Sequence, residues 1–352
     1  MVDLPPALRA PLLVLGFASL ALGTAAGLAR LAWEVPAGAL AAVHGPLMVC
    51  GFFGTVISLE RAVALGRRWA YLGPLAAGAG GLALILGAPL TVAQLLLALG
   101  SAVLLAGSVA VFRRSRALFT FTLAAGAACW LIGNLLWLAG LSVFAVVPWW
   151  AGFLVLTIAG ERLELSRFLP PSAPARRVFV AVLAGLTFGM ALQAQLFGAA
   201  LLALALWLLR QDIARRTVKD RGLTRFIAVC LLSGYAWLLL AGAIMLVGGL
   251  APGSAAYDAA LHALMLGFVF SMVFGHAPVI FPAVLRVAVP YHPLFYAPLV
   301  LLHLSLAVRL AGDAAGAFEW RSVGGLLNAI ALAAFLLNTV AAVVRGRLKK
   351  AS

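Results

Sequence analysis

Five histidines punctuate a chain of 352 residues that is otherwise poor in polar side chains: His44, His262, His276, His292 and His303. His292 stands between Tyr291 and Pro293 at a turn, where an exposed imidazole needs no special account. The other four lie inside apolar runs, and an ionisable group at membrane depth is costly enough to be a functional hypothesis by default. His44 occurs in Val43-His44-Gly45-Pro46 and His262 in Leu261-His262-Ala263-Leu264; each precedes a Gly-Phe pair, Gly51-Phe52 and Gly267-Phe268. Aligned on those pairs, the two histidines are offset by only about 3 Å along a helix. Two imidazoles at one depth on different helices are what a six-coordinate haem needs, one on each face of the iron. Gly45 and Gly51 would let a porphyrin approach the backbone closely. The same pair could instead hold a non-haem metal, or each ring could hydrogen-bond inside a helix bundle.

His276 and His303 form a second pair, matched in depth nearer the other end of their helices. His276 follows His262 by fourteen residues, which is about 21 Å along a helix axis and about 40° off the same face. That spacing resembles the stacked haems of cytochrome b proteins. A second haem, a small metal site and structural hydrogen bonding are all open here, although neighbouring helices joined by a short turn leave little width for a porphyrin. Pro278 and Pro282 follow His276 and predict a kinked helix with freed carbonyls. Glu60-Arg61 and Glu161-Arg162 close two apolar runs. They read either as interfacial snorkelling pairs or, with His276, as an inner polar site of Glu60, Glu161 and His276. No carboxylate lies near mid-membrane, where a proton pump or proton-coupled carrier would want one.

The elements that must carry these residues are apolar helices. The chain is 65% hydrophobic and 10% charged, with a mean hydropathy of +1.12; a soluble domain carries roughly 25% charged residues. Apolar runs are predicted as helices near 10–30, 38–60, 72–89, 91–112, 117–141, 143–165, 178–194, 196–210, 225–249, 257–285, 293–311 and 322–344. Barrel-type alternation is absent, so the expected fold is all-α: a polytopic membrane protein of about twelve transmembrane helices. The weakest divisions are those after Gly87 and after Gln195. The first run reads as a retained helix and not as a cleaved signal. With a cytoplasmic N-terminus, all but Arg30, Arg309 and Arg321 of the 25 basic residues fall on cytoplasmic segments. The positive-inside rule thus favours twelve spans with both termini in the cytoplasm, in the cell membrane of a multi-pass protein. The net charge of +15 is spread in short clusters between spans, which excludes a nucleic-acid footprint. The longest polar stretch, 210–225, is too short for an extramembrane catalytic domain, so residues 1–352 read as one integral membrane domain. Cys50, Cys129 and Cys230 lie inside apolar runs at spacings that fit no metal motif, and are expected to be buried small hydrophobes.

A repeat recurs at four-helix intervals. Gly51-Phe52 and Glu60 in the second run are echoed by Gly152-Phe153 and Glu161 in the sixth, and by Gly267-Phe268 and His276 in the tenth. This suggests a pseudo-three-fold arrangement of four-helix groups, near 10–112, 117–210 and 225–344.

Twelve helices in three groups of four, with histidines on the second and tenth, resemble subunit I of the haem–copper oxidase superfamily. The segments around His44-Gly45 and Leu261-His262-Ala263-Leu264 look still more like the NnrS family of haem- and copper-containing membrane proteins. The resemblance implies haem b with His44 and His262 as axial ligands, and it admits copper or a second haem. It also implies a role in electron transfer, nitric oxide stress or denitrification. Terminal oxidase activity is not expected, because the sixth and seventh runs contain no histidine for a second metal and the tenth lacks the paired histidines two residues apart; Gly45-Pro46 stands where the NnrS family has a charged motif. The partners implied are the lipid bilayer and a redox partner or a further copy of the chain. Two rivals come from other classes. One is a haem-free transporter or channel, suggested by the repeat, the 36 glycines and the proline-rich tenth run. The other is a cofactor-free subunit of a larger membrane complex.

Overall fold

Inside a bilayer every backbone N–H and C=O must find an internal partner, and this chain does so with helices throughout. The structure is a computed structural model that describes residues 3–165 and 171–351, with side chains up to 347. Arg167, and the side chains of Lys349 and Lys350, which the charge distribution above assigns to the cytoplasm, lie outside the described part. No strand occurs among the described residues. The long helices are α1 (Pro6–Ala29), α2 (Gly38–Leu65), α3 (Leu72–Ile85), α4 (Leu90–Arg114), α5 (Leu118–Leu138), α6 (Val143–Leu165), α7 (Ala173–Leu192), α8 (Ala194–Gln211), α9 (Gly222–Gly248), α10 (Ala255–Leu285), α11 (Pro293–Ala315) and α12 (Phe318–Ala351). Among the described residues, eleven of these are long and apolar enough to cross a membrane; α3, with 14 residues, is shorter. The molecule is a multi-pass helical membrane protein.

Burial follows the inverted logic of a lipid solvent. Leu86, Leu192, Val247 and Leu337 are 71–88% exposed, as lipid-facing side chains should be, while Ser19, Thr55, Asn134 and Ser271 are fully buried. All three cysteines are buried and free, as expected. Both weak divisions are real turns. One passes through Gly87 at φ +68, the left-handed region that favours glycine. The other lies at Gln193, two residues before the expected position, where the backbone becomes extended between α7 and α8.

The chain forms two compact units, Met1–Glu161 with Ala283–Arg286, and Arg162–Pro282 with Val287–Ser352. In the first, α1, α2 and α3 meet at Ser19, Gly51 and Gly81. A Cβ on Gly81 would stand 2.3 Å from Ser19 Oγ and 3.2 Å from Gly51 Cα, so only glycine permits this approach. Arg9, 2% exposed, ties the N-terminal end of α1 to the Leu4 carbonyl at 2.7 Å, the Val284 carbonyl at 2.9 Å and the Asp3 carboxylate at 2.5 Å. In the second unit α8 crosses α9 at Gly198 and Gly242; a Cβ on Gly198 would lie 2.6 Å from the Leu246 nitrogen. These are the small-residue contacts through which helices pack tightly in lipid.

Candidate functional site

Neither α2 nor α10 is a plain α-helix. In α2 a 3-10 turn, Gly38–Val43, leads into His44–Pro46, then a π-helical stretch, Leu47–Phe53, and an α-helix, Gly54–Leu65. In α10 the α-helical Ala255–His262 gives way to a π-helical stretch, Ala263–Phe270, and then to Ser271–Leu285. A π turn spreads each hydrogen bond over one extra residue and is frequent at functional sites. Both stretches contain the Gly-Phe pair, and in both a hydroxyl four residues after the glycine takes its carbonyl. Thr55 donates to Gly51 O and Ser271 to Gly267 O, each at 2.6 Å. In each case an indole packs close to a glycine at or just beyond the bulge: Trp130 against Gly54, Trp237 against Gly267. The third Gly-Phe pair differs, since Gly152-Phe153 lies in the unbroken helix α6 and Thr157 donates to Phe153 O at 2.8 Å.

The two histidines that precede the bulges are held alike. The Nδ1 of His44 lies 2.7 Å from the Gly23 carbonyl on α1, with Gly27 closely packed beneath the ring. The Nδ1 of His262 lies 2.8 Å from the Asp258 carbonyl one turn back. A carbonyl only accepts, so Nδ1 carries the proton and the lone pair of the neutral ring belongs to Nε2. An Nδ1–H fixed by a backbone carbonyl is the usual support of a metal-ligating histidine.

His262 has a charged collar that the sequence reading left unassigned. The Asp258 carboxylate lies 3.4 Å from His262 Nδ1. It accepts from Arg309 Nε at 3.2 Å and Nη2 at 2.9 Å, and Arg321 Nη2 approaches it at 3.4 Å. Arg321 also reaches Asp313 at 3.2 Å. Arg309 and Arg321 are two of the three basic residues left over from the positive-inside pattern. That misfit, and the i,i+4 spacing of Asp258 and His262, were the available signals.

His276 places Nδ1 2.7 Å from the Met272 carbonyl, and its charged neighbours within the second unit are Arg162 and Asp212. His303 accepts from Trp237 Nε1 at 2.9 Å through Nδ1, while its Nε2 lies 3.0 Å from Ser233 Oγ. With both ring nitrogens engaged, His303 offers none to a metal or a second haem, so hydrogen bonding is the role its geometry gives it. The helix carrying His276 runs continuously through Pro278 and Pro282. Glu60 and Glu161 are half-buried in α2 and α6 of the first unit. His292 is exposed and accepts from the Leu294 N–H at 3.2 Å, consistent with an ordinary turn residue.

Two further polar networks were invisible beforehand. In the second unit Arg162 Nε and Nη2 donate to the two oxygens of Asp212 at 2.7 and 2.9 Å. Tyr235 donates to the same carboxylate at 2.5 Å, as does the Ala214 N–H at 2.8 Å. Burial alone would push the Asp212 carboxyl up. The hydrogen bonds and charge of Arg162, with the Tyr235 and Ala214 donors, outweigh it and hold the group below its ordinary value. In the first unit Asn134 accepts from Trp150 Nε1 at 3.0 Å and Cys50 Sγ at 3.4 Å, and donates to Leu97 O and Ser101 Oγ. Cys50 sits on the π turn after His44, and Trp130 Nε1 donates to its sulfur at 3.4 Å.

Among the described residues, no group of three or more histidine, cysteine, aspartate or glutamate side chains is gathered to hold a metal ion. No curated protein matches the chain. A family model described as a domain of unknown function, DUF8744, matches residues 9–344. That match takes in both bulged helices, both histidines and the charged collar of His262, and the chain belongs to the DUF8744 family.

Proposed function

We propose that the protein is a membrane haem b protein with His44 and His262 as the axial ligands of the iron. It acts in electron transfer or nitric oxide handling and not in oxygen reduction. The observation that carries this reading is the shared setting of the two histidines. His44 stands shortly before a π-helical stretch and His262 directly before one, each stretch with a buried hydroxyl four residues after its glycine, and each histidine has Nδ1–H fixed on a backbone carbonyl. The donor set fits a haem: two imidazoles, each with Nδ1 held on a backbone carbonyl, are a common ligation for b-type iron. When bound, the haem would supply one-electron chemistry. The chain's own contribution is to fix the tautomers, to orient the rings, and to set the local charge through Asp258, Arg309 and Arg321. A redox partner, or a further copy of this chain, would exchange the electron.

The full topology proposed has twelve spans with both termini cytoplasmic in the cell membrane. Residues 72–85 and the preceding turn Arg68–Tyr71 together could extend about 29 Å, close to the roughly 30 Å hydrocarbon thickness. The pseudo-repeat is supported most clearly by α2 and α10, whose bulges correspond.

A visible spectrum and an iron and haem analysis of purified protein test the reading. A Soret band is expected in wild type and in His292→Ala, and its loss in His44→Ala and His262→Ala. Wild type purified without haem, after expression with ample haem supply, removes the proposal. Substrate uptake into liposomes by such haem-free protein would favour the transporter reading, to which Pro278 and Pro282 inside α10 also lend themselves.

A further inference from the structure

By the positive-inside rule the basic stretch 210–225 serves to orient the chain. Within the second unit, however, part of that stretch is folded around a cavity of about 360 Å³, lined by Arg221, Gly222, Arg225, Val229, Tyr291 and Tyr296. The walls are prearranged. Phe226 is fully buried and forms an aromatic base, with its ring 5.1 Å from Tyr296 in an edge-on contact and 6.2 Å from Tyr291. Arg225 is close enough to act on Tyr296 electrostatically.

The charges do not close within the protein. Among the described residues, no hydrogen bond or ion pair engages the guanidinium of Arg221 or Arg225. Some other arginines of the same unit are engaged: Arg162 is locked on Asp212, Arg309 on Asp258, and Arg215 on the Arg210 carbonyl at 2.9 Å. Two arginines and two tyrosines thus line one concave space, with no acidic residue among its lining. Guanidinium forks and phenol hydroxyls are donors suited to the oxygens of a phosphate group. Charge that served orientation alone would need no cavity.

We propose that this cavity is a binding site for a phosphate group, held by Arg221 and Arg225 with Tyr291 and Tyr296 as hydroxyl donors. The phosphate is carried either by an anionic phospholipid headgroup or by a small soluble molecule. The site is independent of the haem reading.

The test uses full-length protein in detergent. Thermal unfolding is followed with inorganic phosphate against chloride at equal ionic strength, and native mass spectrometry with added phosphatidylglycerol. The charge-matched pairs R221Q/R225Q and R215Q/R216Q are compared, with Y291F/Y296F as a milder variant that keeps the aromatic packing. Affinity for at least one probe is expected to fall about tenfold or more in R221Q/R225Q. R215Q/R216Q should bind like wild type, and Y291F/Y296F should fall between. Stabilisation by inorganic phosphate identifies a soluble ligand, and retention of phosphatidylglycerol alone identifies a headgroup; both support the site. Equal losses in the two arginine pairs would reduce the effect to diffuse charge and overturn it, as would failure of wild type to bind either probe. If R221Q/R225Q does not fold, undiminished binding by Y291F/Y296F overturns the proposal and weakened binding supports it.

Discussion

At the residue scale, two groups of buried charges in the second unit have different tasks. Arg162 and Asp212, each about 5–6% exposed, satisfy each other and Tyr235, and removing one partner leaves the other stranded in a low dielectric. Asp212→Asn should therefore cost about 3–5 kcal/mol, and Tyr235→Phe about 1–3 kcal/mol for one charged hydrogen bond, both read from thermal unfolding in detergent. The pH dependence follows from the depressed Asp212 carboxyl. A group whose folded value lies below its unfolded value of about 3.9 stabilises fully above that value. Its contribution is lost as pH falls through the depressed folded value. Wild type should keep this increment at pH 5 and lose it only in stronger acid, whereas Asp212→Asn should lack it at every pH. Asp258 is different, because its carboxylate stands beside His262 as well as Arg309 and Arg321. On the haem reading, Asp258→Asn should raise the midpoint potential, since a nearby negative charge that favours ferric iron is gone. It should also weaken haem retention about tenfold or more. An unchanged potential in a folded, haem-loaded variant would separate Asp258 from the site.

At the element scale, the bulges decide which way the histidines face. Replacing a π-helical stretch by α-helix means removing one residue, and one residue turns a helix by about 100°. Deleting Val49 should leave α2 inserted while rotating His44 away from the Gly23 carbonyl that holds it. The expected result is a stable membrane protein whose haem signal is lost, measured by absorbance and by size-exclusion profile. An intact low-spin spectrum would mean that the bulge has no part in placing His44. The bulges could not be read from composition, because Leu47–Phe53 and Ala263–Phe270 look like any apolar helix. Only the hydroxyls of Thr55 and Ser271, four residues after Gly51 and Gly267, mark them. Those hydroxyls bond back in ordinary α-helices too, as that of Thr122 does to the Leu118 carbonyl at 2.8 Å.

At the scale of the whole molecule, topology is the testable quantity, and α3 is its hinge. With twelve spans, a cysteine at Ser115 faces the cytoplasm and one at Ser254 faces outside. If Leu72–Ile85 does not cross, both positions exchange sides. Labelling with a membrane-impermeant thiol reagent in intact cells should therefore modify Ser254→Cys and spare Ser115→Cys. The background should be low, because Cys50, Cys129 and Cys230 are all buried.

The amino-acid sequence alone determined the solvent and the succession of long apolar helices, though several helix limits shifted by four or more residues. A hydrocarbon medium leaves backbone groups one general remedy, and twenty-residue apolar runs broken by Gly, Pro and Arg announce it. It also singled out His44 and His262, since polar rings are conspicuous in so apolar a chain. What it could not supply was partnership between residues distant along the chain. That Arg309 and Arg321 surround Asp258, that Asp212 neutralises Arg162 and that Trp237 occupies a nitrogen of His303 depend on which helices pack together. That packing is set by contacts such as Gly81 on Ser19 and Gly198 on Gly242, where side-chain size and not polarity decides, and no one-dimensional pattern of hydropathy records it.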